Sequence, residues 1–292
     1  MGRQRAELGD FLRTRRDRMR PEDAGLPGYS GRRRVPGLRR EELAVLAKVS
    51  VAYYTRLEQG EAGNVSVDVL ESLARALRLT DSEREHLLRL AGPTRARPTA
   101  IPPSSRRIVP SLQRLLDGVN DIPAYVCGRG AEILAWNPMA AALFGDWARL
   151  PRSDRNWARM IFLHPGYRDL FVEWEQKQRD AVAALRLEAG RHPDDKPMSD
   201  LIGELLVKND VFRRLWATHD VKEKRNGIQL LRHPLVGDLV LNYDAFRAAE
   251  NEEQSLVTYY AEPGAPSADA LSLLASLHAE ALPSTARPMP KT

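Results

Sequence analysis

The stretch Leu38-Arg-Arg-Glu-Glu-Leu-Ala-Val-Leu-Ala-Lys-Val-Ser-Val-Ala-Tyr-Tyr-Thr-Arg-Leu-Glu-Gln-Gly60 spaces its apolar residues as two short helices joined by a tight turn. Leu43, Ala44 and Ala47 line one face of the first helix. Val49 fills the turn, and Ser50 can cap a second helix that ends near Gly60. Tyr54 and Leu57 fall on the inner face of that second helix, and the small Ala44 sits where the two must approach.

This is the layout of a helix-turn-helix, whose second helix offers its outer face to the major groove of DNA. The outer positions are Val51, Ala52, Tyr53 and Arg56. Arg56 can make a bidentate contact to guanine, and Val51 or Ala52 can meet a thymine methyl. Arg40, at the start of the first helix, can reach a phosphate or brace the second helix. Ser50, at a helix N-terminus, can bind phosphate through its backbone and hydroxyl. Spacing alone leaves a plainer alternative open: an ordinary helix pair in which Tyr53 packs inward and Arg56 pairs with Glu58 or Glu61. The run Arg32-Arg33-Arg34 reads either as a phosphate-tracking loop or as a solvated charge run.

Further helices surround the pair. Leu8, Phe11, Leu12 and Arg15 form a helical stripe, with Arg13, Arg16 and Arg18 off it. Ser66 can cap a helix carrying Leu70, Leu73 and Leu77, and Thr80 with Glu83 forms a capping-box pattern before a last helix stopped at Gly92-Pro93. Residues 1–60 hold 14 lysines and arginines against 8 aspartates and glutamates, so the +5 net charge of the 292-residue chain arises entirely there. Such asymmetry suits a polyanionic partner. Residues 93–105, rich in proline, have almost nothing to bury and read as a stiff linker.

Beyond the linker the pattern changes. Short apolar runs at 124–127 and 132–136, split by Gly128-Arg129-Gly130, read as a hairpin. Asn137-Pro138 reads as a helix start. Helices are expected at 165–189, 197–207, 209–217 and 267–281, with strands at 228–232, 235–243 and 255–260. The expected organisation is a five-helix domain (1–92), a linker (93–105), an α+β domain (106–282) and a disordered tail (283–292).

Composition narrows the function classes. At 43% hydrophobic and 28% charged residues the chain is an ordinary globular protein, and no apolar run approaches the roughly 20 residues that span a bilayer. The basic start lacks a signal core, and the one cysteine, Cys127, cannot pair internally, which suits a cytoplasmic setting without membrane partners. Catalytic and metal-binding patterns are missing. His164, His192 and His233 each precede a proline, and there is no HExxH, CxxC, Walker loop or GxSxG. No cofactor, metal site or catalytic residue is therefore expected.

Residues 8–91 resemble the XRE-type, lambda-repressor-like helix-turn-helix family, which implies a five-helix fold and double-stranded DNA as partner. The runs Arg33-Arg34-Val35-Pro36-Gly37-Leu38 and Tyr53-Tyr54-Thr55-Arg56-Leu57-Glu58-Gln59-Gly60 resemble the subset of such regulators that carry an MmyB-type ligand-binding domain. Two departures stand out: Lys48 occupies a turn position that usually carries glycine, and Val65-Ser66 replaces a common Pro-Ser. Residues 106–282 also resemble the MmyB-type domain, through Ile133-Leu134-Ala135-Trp136-Asn137, Leu143-Phe144-Gly145, Arg155-Asn156, Leu185-Arg186, Leu215-Trp216-Ala217 with His219-Asp220-Val221, and His233-Pro234. That family is similar to PAS domains in fold and is associated with a fatty-acid-like ligand.

The candidate ligand-binding residues are Trp136, Asn137, Asn156, Phe162, Trp174, Arg186, Trp216, His219 and Tyr243. A half-sheet wrapped by helices with bulky aromatics can enclose an apolar pocket, and Arg186 is a natural partner for a carboxylate. The plainer alternative makes the tryptophans core, Arg186 an ion-pair partner and Asn137 a helix cap. The reading that follows is a homodimeric transcription regulator sensing a small apolar or acyl ligand. Its alternatives are a regulator whose second domain is a protein-interaction module, and an enzyme acting on an acyl substrate.

Overall fold

The computed structural model describes residues 2–26, 37–92, 107–223 and 225–281. The arginines at 32–34, the linker at 93–105 and the tail at 283–292 lie outside the described residues. The chain forms two compact units: Met1–Ala100 with Val182–Glu223, and Ile101–Ala181 with Lys224–Thr292.

The first unit opens with five helices, α1 Gly2–Arg18, α2 Arg40–Leu46, α3 Val51–Glu58, α4 Val67–Ala76 and α5 Asp81–Ala91. Three start on the caps expected from their residues. Ser50 Oγ accepts from Tyr53 N at 3.1 Å, Ser66 Oγ from Val69 N at 3.4 Å, and Thr80 and Glu83 cap one another reciprocally. Leu8, Phe11 and Leu12 of α1 are buried with Leu43, Ala44, Tyr54, Leu57, Leu70, Leu73 and Leu87 in one core. Each large apolar side chain removed from water here contributes about 1.5–3 kcal/mol.

The second unit begins with α6 Pro110–Gly118, β1 Ala124–Cys127, β2 Ile133–Trp136, α7 Pro138–Phe144 and α8 Trp157–Leu163. The expected Gly128–Gly130 turn is present, with Gly130 at φ 62. The long helix, α9 Trp174–Arg191, starts later than its periodicity suggests. Pro165–Tyr167 turn as a 3-10 segment, and Phe171 pairs with Leu231 instead, with Val172 N bonded to Leu230 O and Arg232 N to Leu170 O. Backbone groups committed to a strand edge are not available to a helix.

From residue 182 the chain belongs to the first unit again, with the rest of α9, α10 Lys196–Lys208 and α11 Asp210–Trp216. The sequence assigns this stretch to the second domain. Leu187 and Val221 nevertheless lie in the core formed by α1–α5.

Strands β3 Asn226–His233, β4 Gly237–Ala248 and β5 Asn251–Tyr260, then α12 Pro266–Ala281, complete the second unit. β3 and β5 exceed their expected bounds and β4 runs on past residue 243, because each is paired along most of its length, while residues 235–236 turn and β4 starts only at Gly237. The sheet is antiparallel in the order β2-β1-β5-β4-β3. The expected two-domain class is therefore present, an all-α helix-turn-helix region followed by an α+β PAS-like domain. One sheet face carries Ala124, Val126 and Leu256 against Leu112 and Leu116 of α6. Period-two alternation puts Trp136, Tyr125, Val257, Tyr259, Tyr243 and Gln229 on the opposite face.

Two backbone positions in the first unit make opposite demands. A Cβ on Gly9 would lie 2.3 Å from Glu58 O, so α1 and α3 approach backbone to backbone only because residue 9 is glycine. Lys48 holds φ 56, a left-handed value, in the turn position that usually carries glycine. Gly9→Ala is expected to lower stability by about 1–3 kcal/mol, and Lys48→Gly to raise it by about 1 kcal/mol. Chemical denaturation of the two variants beside wild type checks both signs.

Candidate nucleic-acid interface and aromatic core

The helix pair α2–α3 is held by one buried carboxylate. Glu58, its side chain 0% exposed, accepts from Arg16 Nε at 2.6 Å and from Arg40 Nε at 2.7 Å. Arg16 also donates to Leu38 O at 2.8 Å, and Arg13 to Glu58 O at 3.2 Å. Burial pushes the Glu58 carboxyl up, and hydrogen bonds from Arg16, Arg40 and Tyr54 outweigh it, leaving the group below its usual 4.5. Arg16 thus points into the core, although periodicity put it off the apolar stripe. The signal that could have placed it was a glutamate on the inner face of α3, which needs a buried cation.

On the outside of α3, Val51, Ala52 and Arg56 are exposed. Among the described residues the Arg56 side chain makes no hydrogen bond or ion pair, so the surface pairing with Glu58 or Glu61 is not formed; Glu58 is taken by Arg16 and Arg40. Tyr53 is half-buried and packs against the core with part of its ring outward. Ser50 is exposed, with its hydroxyl on Tyr53 N. Arg40 braces Glu58 while its side chain stays 44% exposed, so bracing leaves part of its guanidinium open to solvent.

A second polar network surrounds α1. Arg15 lies 2.7 Å from Glu83 Oε1 and 3.3 Å from Asp220 Oδ1, and donates to His219 O at 2.9 Å. Arg18 pairs with Asp220 as well. Arg186, 1% exposed, sits 4.0 Å over the Trp216 ring, bonds Trp216 O and meets Glu7 at 3.3 Å. Three candidate ligand residues, Arg186, Trp216 and His219, therefore lie in the first unit, where the Arg186 guanidinium serves as an ion-pair and cation–π partner.

Two histidines enter this network neutral. Burial, then Arg186, Arg15, Arg89 and His219, lower His86 to about 3. Burial and then Arg186 lower His219 to about 4.

The six other candidates lie in the second unit. Asn137 has its whole side chain engaged: Oδ1 accepts from Ala140 N and Ala124 N, and Nδ2 donates to Val119 O and Ile122 O. Asn156 caps α8 through Ala158 N and Arg159 N and donates to Gly130 O. Both fasten the backbone. Phe162 is buried, and Trp174 is half-buried 6.1 Å from Phe171. Trp136 stands edge-on to Trp147 at 5.5 Å, with the Arg155 guanidinium 5.4 Å from its ring. Tyr243, whose hydroxyl burial pushes up to about 12, lies 5.7 Å from Tyr259.

Sequence reading missed the centre of this aromatic set. Trp157 contacts Tyr125, Phe144, Trp147 and Phe171, and Lys177 is buried beside it. Lys177 carries no signal in its own stretch, Glu175-Gln176-Lys177-Gln178-Arg179, which reads as a solvated helix face. His233 is held by Ala142 O at 3.1 Å, and His219 belongs to the other unit. Among the described residues no group of three His, Cys, Asp or Glu is placed to hold a metal, and no helix is long and apolar enough to cross a membrane.

Two family models match the chain, a helix-turn-helix domain over residues 7–87 and an MmyB-like transcription regulator ligand binding domain over residues 108–274. No curated protein matches it.

Two stability changes follow. Glu58→Gln leaves two arginines facing a neutral buried amide, and is expected to cost about 3–5 kcal/mol in denaturant titration. His86, lowered in the fold, favours folding above pH 6.5, and this is lost as pH falls toward about 3. Between pH 7 and 5, where Glu58 stays ionised, wild type should lose stability, and His86→Gln should lose less by on the order of 1–2 kcal/mol.

Proposed function

The chain belongs to the family of the MmyB-like transcription regulator ligand binding domain, carried behind a helix-turn-helix domain, and from that premise we propose a homodimeric regulator that reads operator DNA through α3 and senses a small apolar or acyl ligand. The observation that carries the DNA half is the outer face of α3. Val51, Ala52 and Arg56 stand exposed while Tyr54, Leu57 and Glu58 are locked inside. Arg56 is the base-reading residue, suited to guanine, and Val51 and Ala52 meet thymine methyl groups. Tyr53, Ser50 and the open part of Arg40 contact the backbone, as do Arg32, Arg33 and Arg34. Two copies on half-sites about one helical turn apart supply the specificity that one short helix lacks. The protein works in the cytoplasm, where its DNA and a reduced Cys127 are both found.

The ligand half rests on the aromatic face of the second unit. Trp136, Phe162, Trp174 and Tyr243 are its candidate contacts, with Asn137 and Asn156 holding the backbone around them. A ligand changes DNA affinity only as far as it binds the competent and incompetent states differently.

Fluorescence anisotropy on a promoter fragment, across a salt series, tests the reading. Wild type should bind specific DNA with a steep salt slope. Arg56→Ala should lose about 1–3 kcal/mol on the specific site and little on random DNA. Equal loss on both would remove Arg56 as a base reader. Native mass spectrometry of protein from cells should find a bound acyl compound. A ligand-free protein that stays indifferent to lipid extract favours the protein-interaction module.

A further inference from the structure

Helix α1 is held from two opposite sides. Gly9, Arg13 and Arg16 share one side, against the end of α3. Gly9 lies where a Cβ would strike Glu58 O, Arg13 donates to that oxygen, and Arg16 donates to the Glu58 carboxylate. By helical periodicity Glu7, Arg15 and Arg18 fall on the other side. There three consecutive residues, Thr218, His219 and Asp220, each offer an oxygen to α1. Arg18 Nη2 donates to Thr218 O at 3.0 Å and Arg15 Nη2 to His219 O at 2.9 Å. The Asp220 carboxylate pairs with Arg18 and lies 3.3 Å from Arg15 Nη1.

The turn at 218–220 is shaped for that contact. His219 holds φ 54, a left-handed conformation unfavourable for a residue with a Cβ, between the two residues whose oxygens Arg18 takes. Thr218 Oγ1 donates to Asp220 Oδ2 at 2.8 Å and fixes the carboxylate. Burial raises the Asp220 carboxyl, and hydrogen bonds from Arg18 and Thr218 outweigh it, so the group stays ionised. On the same side Arg186 meets Glu7, and Val221 enters the core. All these groups lie in the first unit, yet 218–221 fall inside the residues matched to the ligand-binding family, 108–274. Protein interiors are close-packed, so a helix clamped on two sides cannot shift at one without shifting at the other.

We propose that Asp220 is a positioning residue for DNA reading. It fixes α1 through Arg15 and Arg18, and α1 passes that position to α3 through Gly9 and the Arg16–Glu58 pair. Asp220 acts without touching DNA, by setting the angle at which Val51, Ala52 and Arg56 are presented. The ligand-binding sequence thus contributes a residue on which operator specificity depends. This rests on the reading of operator DNA by α3 stated above.

The test is fluorescence anisotropy of the full-length protein on a duplex that wild type selects from a random pool, and on random duplex, across a salt series. Asp220→Asn, Asp220→Glu and Thr218→Val are run beside wild type, at a temperature where thermal melts show each one folded. Asp220→Asn should lower the preference for the selected duplex about ten-fold, as much as one lost base contact. Its salt slope should be that of wild type, since no phosphate contact is lost. Asp220→Glu, which keeps the charge, should retain most of the preference, and Thr218→Val should lose part of it with no change of charge. Tighter binding of both duplexes by Asp220→Asn, by the same factor, reduces Asp220 to a repulsive charge and overturns the positioning role. An Asp220→Asn protein that melts lower yet keeps the wild-type preference makes Asp220 a stabilising partner only, which also overturns it. If Asp220→Asn does not fold, a Thr218→Val protein with the wild-type preference overturns it instead. A wild type that enriches no sequence overturns the reading by α3 and the positioning role with it.

Discussion

The Glu58 carboxylate sits at the junction of three helices. Arg16 of α1 and Arg40 of α2 both donate to it, and Arg16 reaches on to the carbonyl of Leu38. Placing a carboxylate out of water is unfavourable, and two guanidiniums at hydrogen-bond distance reverse the sign. An arrangement of this kind contributes less to stability than to uniqueness of geometry, since any other helix angle leaves a charge buried and unmatched. It depends in turn on Gly9, because only a residue without Cβ lets α1 come close enough to the end of α3. The outer face of α3 is aimed by these interior contacts, and Arg40 is shared between them and the surface.

The second network has the same character and a different consequence. Arg15, Arg18 and Arg186 gather Glu7, Glu83 and Asp220 around α1, with His86 and His219 kept neutral among them. Gly190 is needed here too, since a Cβ there would lie 2.6 Å from the His86 ring. The residues matched to the ligand-binding family include 182–223, and this stretch forms one compact unit with the DNA-reading helices. Ligand-domain sequence and reading-helix structure therefore share a core, in which Leu187 and Val221 join Leu8 and Phe11.

The elements themselves were largely legible. Caps at Ser50, Ser66, Thr80 and Asn137 act within three residues, so their side chains announce them locally. The outer residues of α3 were legible for the same reason, as the complement of an apolar stripe. Local signals failed where a distant strand competed. Residues 170–172 have helical neighbours but bond β3, and β4 and β5 run beyond their apolar patterns because their partners continue. Arg16 and Lys177 were invisible for a related reason. A charged residue on a polar stretch reads as solvated until the group that faces it is known, and those groups lie 42 and 52 residues away.

Taken alone, the amino-acid sequence determined two architectures, the helix pair with its outward-facing residues, and a sheet domain rich in aromatics. Each of these follows from periodicity and capping, which act over one or two turns of chain. Tertiary structure decided which charges are buried, that Arg186, Trp216 and His219 belong with the reading helices, and that the cation on the aromatic face is Lys177. Burial of a charge is settled by partners far off in the chain, so no window of sequence contains the answer.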